Sequence, residues 1–253
     1  MIHLKTTQEI KIMKEGGKRL AKVGRKLLKL CEEDRTTLEI DQEAEKLIRG
    51  YGGEPSFKTV KGYFWTICSP INEQIVHTPP SGRKLKEGDL LTIDIGMRYK
   101  GFHTDYAYSL VIGESHDKGK NLFLDVGKKA LSKGIKAVNK GRRVGDISQA
   151  IQSEIYGNNF FVIKALTGHG IGRKLHEDPF VPNFLDGPRE RTPLLQPGMV
   201  IAVEVIYSFG TEQMVYEKGN SWSIVTADRN LSACFEHTVA VTDTGAIILT
   251  KEE

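Results

Sequence analysis

From Thr6 onward, apolar residues return every three or four positions. Ile10, Met13, Leu20, Val23, Leu27 and Leu30 share one face, which predicts an amphipathic helix over 7–32. Thr6 with Glu9 three residues later has the form of a capping box at its start. A second helix is expected over 38–50, broken by Gly52-Gly53-Glu54-Pro55. The period then shortens. Residues 66–77 read as extended and lead into a turn at Thr78-Pro79-Pro80-Ser81-Gly82, and strands follow at about 90–96 and 103–112. Helices return at 118–139 and 146–156, with Asp146 read as the N-cap of the second. Strands are expected near 161–167, 174–177, 199–208, 221–228, 234–242 and 246–250.

The order is helices, strands, helices, strands, and a repeat underlies it. Leu85-Lys86-Glu87-Gly88-Asp89-Leu90-Leu91-Thr92-Ile93-Asp94-Ile95 matches Leu195-Gln196-Pro197-Gly198-Met199-Val200-Ile201-Ala202-Val203-Glu204-Val205, 110 positions later. Each segment passes from a Gly turn into a β-branched run, and each carries a carboxylate six residues after the Gly, at Asp94 and Glu204. The pattern predicts an α+β fold of two αβ halves related by a pseudo-two-fold. Hairpin-length connections imply a mainly antiparallel sheet. There is no low-complexity segment or linker, so residues 1–253 are expected to form a single domain with a shared core.

A buried ionised carboxylate is costly unless a positive charge meets it. The same expense at matching positions of two halves points to one shared counter-ion, and a divalent metal is the natural candidate. On each strand the carboxylate leaves the apolar face, because Leu91, Ile93 and Ile95 point one way and Thr92 and Asp94 the other. Ile201, Val203 and Val205 are likewise opposed to Ala202 and Glu204. The next strand of each half brings another acid, Asp105 in Gly101-Phe102-His103-Thr104-Asp105 and Glu236 in Cys234-Phe235-Glu236-His237-Thr238. Asp105 follows Asp94 at hairpin distance, whereas a longer excursion separates Glu204 from Glu236. His169, in Thr167-Gly168-His169-Gly170-Ile171-Gly172, adds one imidazole between glycines that allow close backbone approach.

Any one of these residues alone has a plainer reading as a turn acid, an exposed strand Glu or a hydrogen-bonded His. Their repeat-matched placement distinguishes the set. Asp94, Asp105, His169, Glu204 and Glu236 form an oxygen-rich donor group suited to two divalent ions bridged by carboxylates. Such a pair can activate water and polarise a carbonyl together. The glycines at 168–172 lack the βαβ context of a nucleotide site. No Gly-x-Ser-x-Gly elbow is present.

Composition narrows the setting. The hydrophobic fraction is 39% and the charged fraction 27%, ordinary values for a chain with a real core. No apolar run approaches the roughly 18 residues of a membrane span, and the N-terminus shows no signal-peptide pattern. Three cysteines, Cys31, Cys68 and Cys234, form no Cys-x-x-Cys, which argues against a disulfide framework and for a reducing, cytoplasmic context. The net charge is +4, with lysines and arginines gathered in Lys11–Lys29 and Lys118–Arg143. These clusters read as solvated helix faces. A sharper reading is weak attraction to an anionic partner such as ribosomal RNA.

Taken together, several motifs resemble the type I methionine aminopeptidases in their short bacterial-like form. They are Ile75-Val76-His77, Asp94-Ile95-Gly96, Gly101 through Asp105, Gly168 through Gly172, Leu175-His176-Glu177-Asp178-Pro179, Pro197 through Glu204, and Phe235-Glu236-His237-Thr238. The resemblance runs from about Lys11 to the end. It implies the pita-bread fold and removal of the initiator methionine from nascent chains when the second residue is small. By the resemblance, Asp94 binds one metal, Asp105 and Glu236 bridge both, and His169 and Glu204 complete the second site. The ions would be Co, Mn, Fe, Zn or similar. Glu204 also takes the proton of the attacking water, His176 bonds the substrate carbonyl or amide, and His77 contacts the scissile amide. Tyr63, Cys68 and Trp222, with Phe57 and Leu175, would line the methionine pocket, where a thioether packs well. The implied protein is a monomer acting on nascent polypeptides, with transient ribosome contact.

The sequence departs from the family pattern in three places. Thr78 follows His77 where Gly is usual, Leu175 stands where an aromatic is common, and Phe57 replaces a smaller residue. These changes touch the pocket wall rather than the ligands. Xaa-Pro aminopeptidases, prolidases and creatinase-type enzymes carry an additional N-terminal domain for which 253 residues leave no room. A non-catalytic relative would have lost ligands that are all present here. The type II form would need a large insert between His176 and Glu204, and a zinc-finger extension would need residues ahead of the first helix.

Overall fold

Two matching units, each a pair of helices laid against one face of a common sheet, build the molecule. The structure, a computed structural model, describes residues 1–252. The first unit holds α1 (Thr7–Leu28), α2 (Thr37–Gly50), the short strands β1 (Glu54–Pro55), β2 (Ile67–Cys68) and β3 (Gln74–Val76), and the long hairpin β4 (Leu90–Tyr99) and β5 (Phe102–Val111). The second holds α3 (Lys118–Ala137), α4 (Val144–Tyr156), β6 (Phe161–Val162), β7 (Thr167–Gly170), β8 (Glu177–Pro182) and β9 (Val200–Ser208). It continues with β10 (Met214–Tyr216), β11 (Ile224–Thr226), β12 (Ser232–Thr242) and β13 (Gly245–Ile248). The main sheet runs β1-β4-β5-β12-β9-β7-β8, and each of its ladders is antiparallel. The excursion expected before Glu236 is β10 and β11, which join β3 in a small separate sheet.

The repeat is visible in the hydrogen bonds. Leu85 N–H donates to Arg35 just before α2, at 2.9 Å, and Leu195 N–H donates to Arg142 just before α4, at 2.8 Å. Gly88 and Gly198 both take the left-handed conformation (φ 81° and 94°) that the following β-run requires and that glycine alone adopts freely. The alternation predicted from sequence divides the sheet. Leu91, Ile93, Ile95 and Met97 pack on α1 and α2, and Ile201, Val203, Val205, Tyr207, Phe235 and Val239 pack on α3 and α4. The intervening positions face the other way, into a cavity.

Several local expectations change; residues 163–166, read as part of one strand near 161–167, instead separate β6 from β7. The first helix ends at Leu28 rather than 32. Asp146 is not the N-cap of α4 but lies in its first turn, accepting from Arg143 N–H at 2.7 Å, so the carboxylate reaches back to the helix start. Residues 174–176 form a turn, not a strand; Glu177 Oε1 accepts from Lys174 N–H at 3.0 Å and closes it. No helix among the described residues is long and apolar enough to cross a membrane.

Candidate metal centre

Five neighbouring strands, β4, β5, β12, β9 and β7, each bring one of the predicted ligands to the same face. Asp94 lies opposite Ala107, Ala107 opposite Glu236, and Glu236 opposite Glu204, forming one cross-strand rung. One rung along, Gly96 faces Asp105, Thr238 faces Ala202, and Ala202 faces His169. Two-residue spacing keeps both rungs on one face. The rung positions without a strong donor are Gly96, Ala107, Ala202 and Thr238, all small. Thr238 ties the rung together, since its hydroxyl accepts from Asp105 N–H at 2.8 Å and donates to Asp105 C=O at 2.9 Å.

Donor atoms of Asp105, His169 and Glu236 lie within 4.8 Å of one another. Glu204 Oε1 stands 3.7 Å from His169 Nε2. The imidazole is oriented by its own strand: Nδ1 donates to Gly170 C=O at 2.9 Å, which leaves the Nε2 lone pair facing the acids. The flanking glycines earn their place. A Cβ on Gly168 would run into the carbonyl oxygen of Ala202, and one on Gly170 into that of Asp178.

Electrostatics mark the cluster as incomplete without a cation. Asp94 Oδ1 and Glu236 Oε1 are buried with no hydrogen-bond partner. Burial pushes the Asp94 carboxyl up to about 7, against a hydrogen bond with the Cys68 thiol. Burial, followed by repulsion from neighbouring carboxylates, carries Asp105, Glu204 and Glu236 well above the usual acid range. Burial also lowers His169 to about 4, so its imidazole is neutral and able to ligate. Oxygen-rich donors with one imidazole, and buried oxygens left without a partner, fit divalent cations.

The acids form the floor of a cavity of about 310 Å³. His77 and His176 reach it from separate segments. His77 follows β3 in a left-handed conformation (φ 58°). His176 sits in the turn before β8, its ring edge-on to His169 with centroids 4.5 Å apart. Desolvation at the cavity lowers the pKa of both although each side chain keeps an exposed edge, with His176 adding repulsion at His77. Tyr63, Cys68 and Trp222 make the predicted apolar wall, together with Phe57 and Leu175. The Tyr63 hydroxyl bonds Ile67 C=O at 2.8 Å and Cys68 Sγ at 3.1 Å, and its ring meets Trp222 edge-on at 5.1 Å. The lining also includes Val76, Leu166, Phe180, Ile206 and Cys234, which sequence reasoning did not assign to it. Two of these were within reach of strand alternation, because Ile206 is two residues after Glu204 and Cys234 two before Glu236.

The profile of metallopeptidase family M24 matches residues 11–243. The chain is 40% identical over 251 residues to methionine aminopeptidase 1 of Bacillus subtilis, covering 99% of this chain and 100% of that one. It is 39% identical to the methionine aminopeptidase of Clostridium perfringens, covering 99% of each. Among solved structures, the methionine aminopeptidase of Thermotoga maritima superposes with a TM-score of 0.95 at 36% identity, over 100% of both chains. The prolidase of Pyrococcus furiosus shares the fold, with a TM-score of 0.77 at 21% identity, but only 66% of that longer chain is matched.

Proposed function

The chain belongs to metallopeptidase family M24 and, within it, to the methionine aminopeptidases; from that premise we propose how its own residues release an N-terminal methionine. The enzyme is a metal-dependent hydrolase of pita-bread fold acting on peptides. Asp94, Asp105, His169, Glu204 and Glu236 would hold two divalent ions. Bound there, the ions supply Lewis-acid polarisation of the scissile carbonyl and acidify water.

The protein groups around them divide the remaining work. Glu204 accepts the proton of the attacking water. His176 donates to the substrate carbonyl as negative charge develops on its oxygen, and a preplaced donor in a dry site is worth most at that moment. His77 contacts the scissile amide and helps the leaving amine depart. The methionine side chain packs between Tyr63, Trp222, Cys68, Phe57 and Leu175, whose aromatic edges and thiol suit a thioether. The observation that carries this reading is the pair of adjacent rungs bringing five donors to one buried face.

The preference is for a small residue after the methionine, in nascent chains. The protein acts as a cytoplasmic monomer, a setting supported by three free, buried thiols. Transient ribosome contact rests on the basic faces of α1 and α3. The experiment is a panel of Met-Xaa-Ser peptides given to chelated protein reloaded with Co²⁺, Mn²⁺, Fe²⁺ or Zn²⁺. Methionine release from Met-Ala-Ser and little from Met-Trp-Ser supports the reading. Absence of turnover with every metal, in folded protein, refutes it.

A further inference from the structure

The residue after His77 and the residue after Trp222 are joined by a buried hydrogen bond. Thr78 Oγ1 and Ser223 Oγ lie 2.8 Å apart, 6% and 0% exposed. We infer that Thr78 is a positioning residue whose hydroxyl locks His77 to the wall that carries Trp222. The inference rests on the functional reading above and adds a determinant to it.

His77 is a non-glycine residue with φ 58°, a conformation that persists only where surrounding contacts over-determine it. On its N-terminal side, Val76 is held by pairing with Ile224. On its C-terminal side, Pro79 and Pro80 offer no N–H, and the chain is next anchored only at Ser81, whose N–H donates to Thr37 Oγ1 at 2.8 Å and whose carbonyl accepts from Leu38 N–H at 3.0 Å. What remains is Thr78. Its carbonyl accepts from Ser69 N–H at 2.9 Å, and its hydroxyl meets Ser223. A glycine there could supply the first bond and not the second.

The far end of the link is also fixed. Asn220 Oδ1 accepts from both Trp222 N–H (2.9 Å) and Ser223 N–H (3.0 Å), so the two residues move as one short unit. Trp222 packs on Tyr63, and His77 lines the same cavity. The Thr78–Ser223 bond therefore spans from the surface that holds the methionine side chain to the imidazole that addresses the scissile amide. Seating the side chain and aligning His77 become one event.

The test compares Thr78→Val, which keeps the shape and removes the hydroxyl, with Thr78→Ser, Ser223→Ala and the double variant Thr78→Val/Ser223→Ala. Two readouts are taken: kcat and KM on Met-Ala-Ser with Mn²⁺, and the His77 imidazole signals in the ¹H–¹⁵N spectrum of the metal-free protein. Thr78→Val and Ser223→Ala should each lower kcat about tenfold with KM within about twofold, because a small misplacement of a reacting group falls on the chemical step. The His77 signals should move in both. Thr78→Ser should match the parent in both readouts, and the double variant should be no worse than the weaker single, since both remove one bond. Parental kcat with unmoved His77 signals in Thr78→Val, impairment in Thr78→Ser equal to that in Thr78→Val, or additive losses would overturn the inference. If Thr78→Val does not fold, Ser223→Ala carries the same comparison. An inactive parent would instead refute the functional reading, and the spectra would still decide the link.

Discussion

Glu204 Oε1 and His169 Nε2 stand 3.7 Å apart across the β9–β7 ladder. That is too long for a hydrogen bond, and it is a separation at which both side chains would be able to hold one cation between them. Glu204 is thus assigned two tasks, ligand and base. Glu204→Gln keeps the shape and loses the charge. It should lower kcat/KM at least about 100-fold, as loss of a general base does, and calorimetry should show one of the two binding events weakened. Parental turnover would remove Glu204 from both tasks.

The imidazole depends on its glycines. At position 170 a methyl group meets the Asp178 carbonyl, which belongs to backbone and cannot swing aside. Gly170→Ala should therefore displace His169, lowering stability by about 1–3 kcal/mol and weakening metal binding with it. Urea unfolding and metal titration check the two together. A variant as stable as the parent with unchanged metal affinity would show that β7 and β8 can separate without consequence.

Metal loading should release protons. In the metal-free protein, burial holds Asp94 at about 7, and burial with repulsion from neighbouring carboxylates holds Asp105, Glu204 and Glu236 above their usual range. Ligation requires them ionised, so binding expels protons and tightens as pH rises. Near pH 6.5 the calorimetric enthalpy of Mn²⁺ binding should vary with the ionisation enthalpy of the buffer. The same enthalpy in all buffers would mean the acids are already ionised.

A buried ion pair behind the site gives a stability signature of its own. Lys5 Nζ lies 2.6 Å from Glu177 Oε2, and both side chains are 5% exposed. Burial opposes ionisation of Glu177, but bonds from Lys174 N–H and the Lys5 ammonium outweigh it and hold the carboxyl below its ordinary range. A lowered acid pKa means the unfolded state takes up its proton first as pH falls. The stabilisation is therefore full above about pH 4.5 and is lost as pH drops through the folded-state value. Lys5→Met leaves a buried charge alone and should cost about 3 kcal/mol at pH 7. The difference from the parent should shrink below pH 4. Urea titrations at both pH values measure it, and an equal loss at both would assign the effect to packing.

Much of the metal centre was legible because it is written twice. Gly88 to Asp94 and Gly198 to Glu204 carry the same turn, run and acid, and alternation then fixes which way each acid points. What the sequence could not show was register. That Asp94, Ala107, Glu236 and Glu204 fall on one rung depends on how strands far apart in the chain align. The His176 turn was hidden for a local reason, since Glu177 closes it by side-chain bonds to Lys174 and Lys5 that no periodicity reports. The Thr78–Ser223 bond joins residues 145 positions apart and leaves no pattern in either segment. Asp146 was misplaced because an acid reaching back from a helix's first turn looks, in sequence, like a cap.

In the proposed function, catalysis depends on ions held by these five side chains. The most direct measurement titrates Mn²⁺ into chelated protein, following bound metal and methionine release from Met-Ala-Ser together, in the parent and in Asp94→Asn and Glu236→Gln. No turnover is expected without metal, activity should rise to a plateau by two equivalents, and both binding and turnover should be lost in the variants. Turnover that survives chelation, or variants that bind and cleave like the parent, would contradict it.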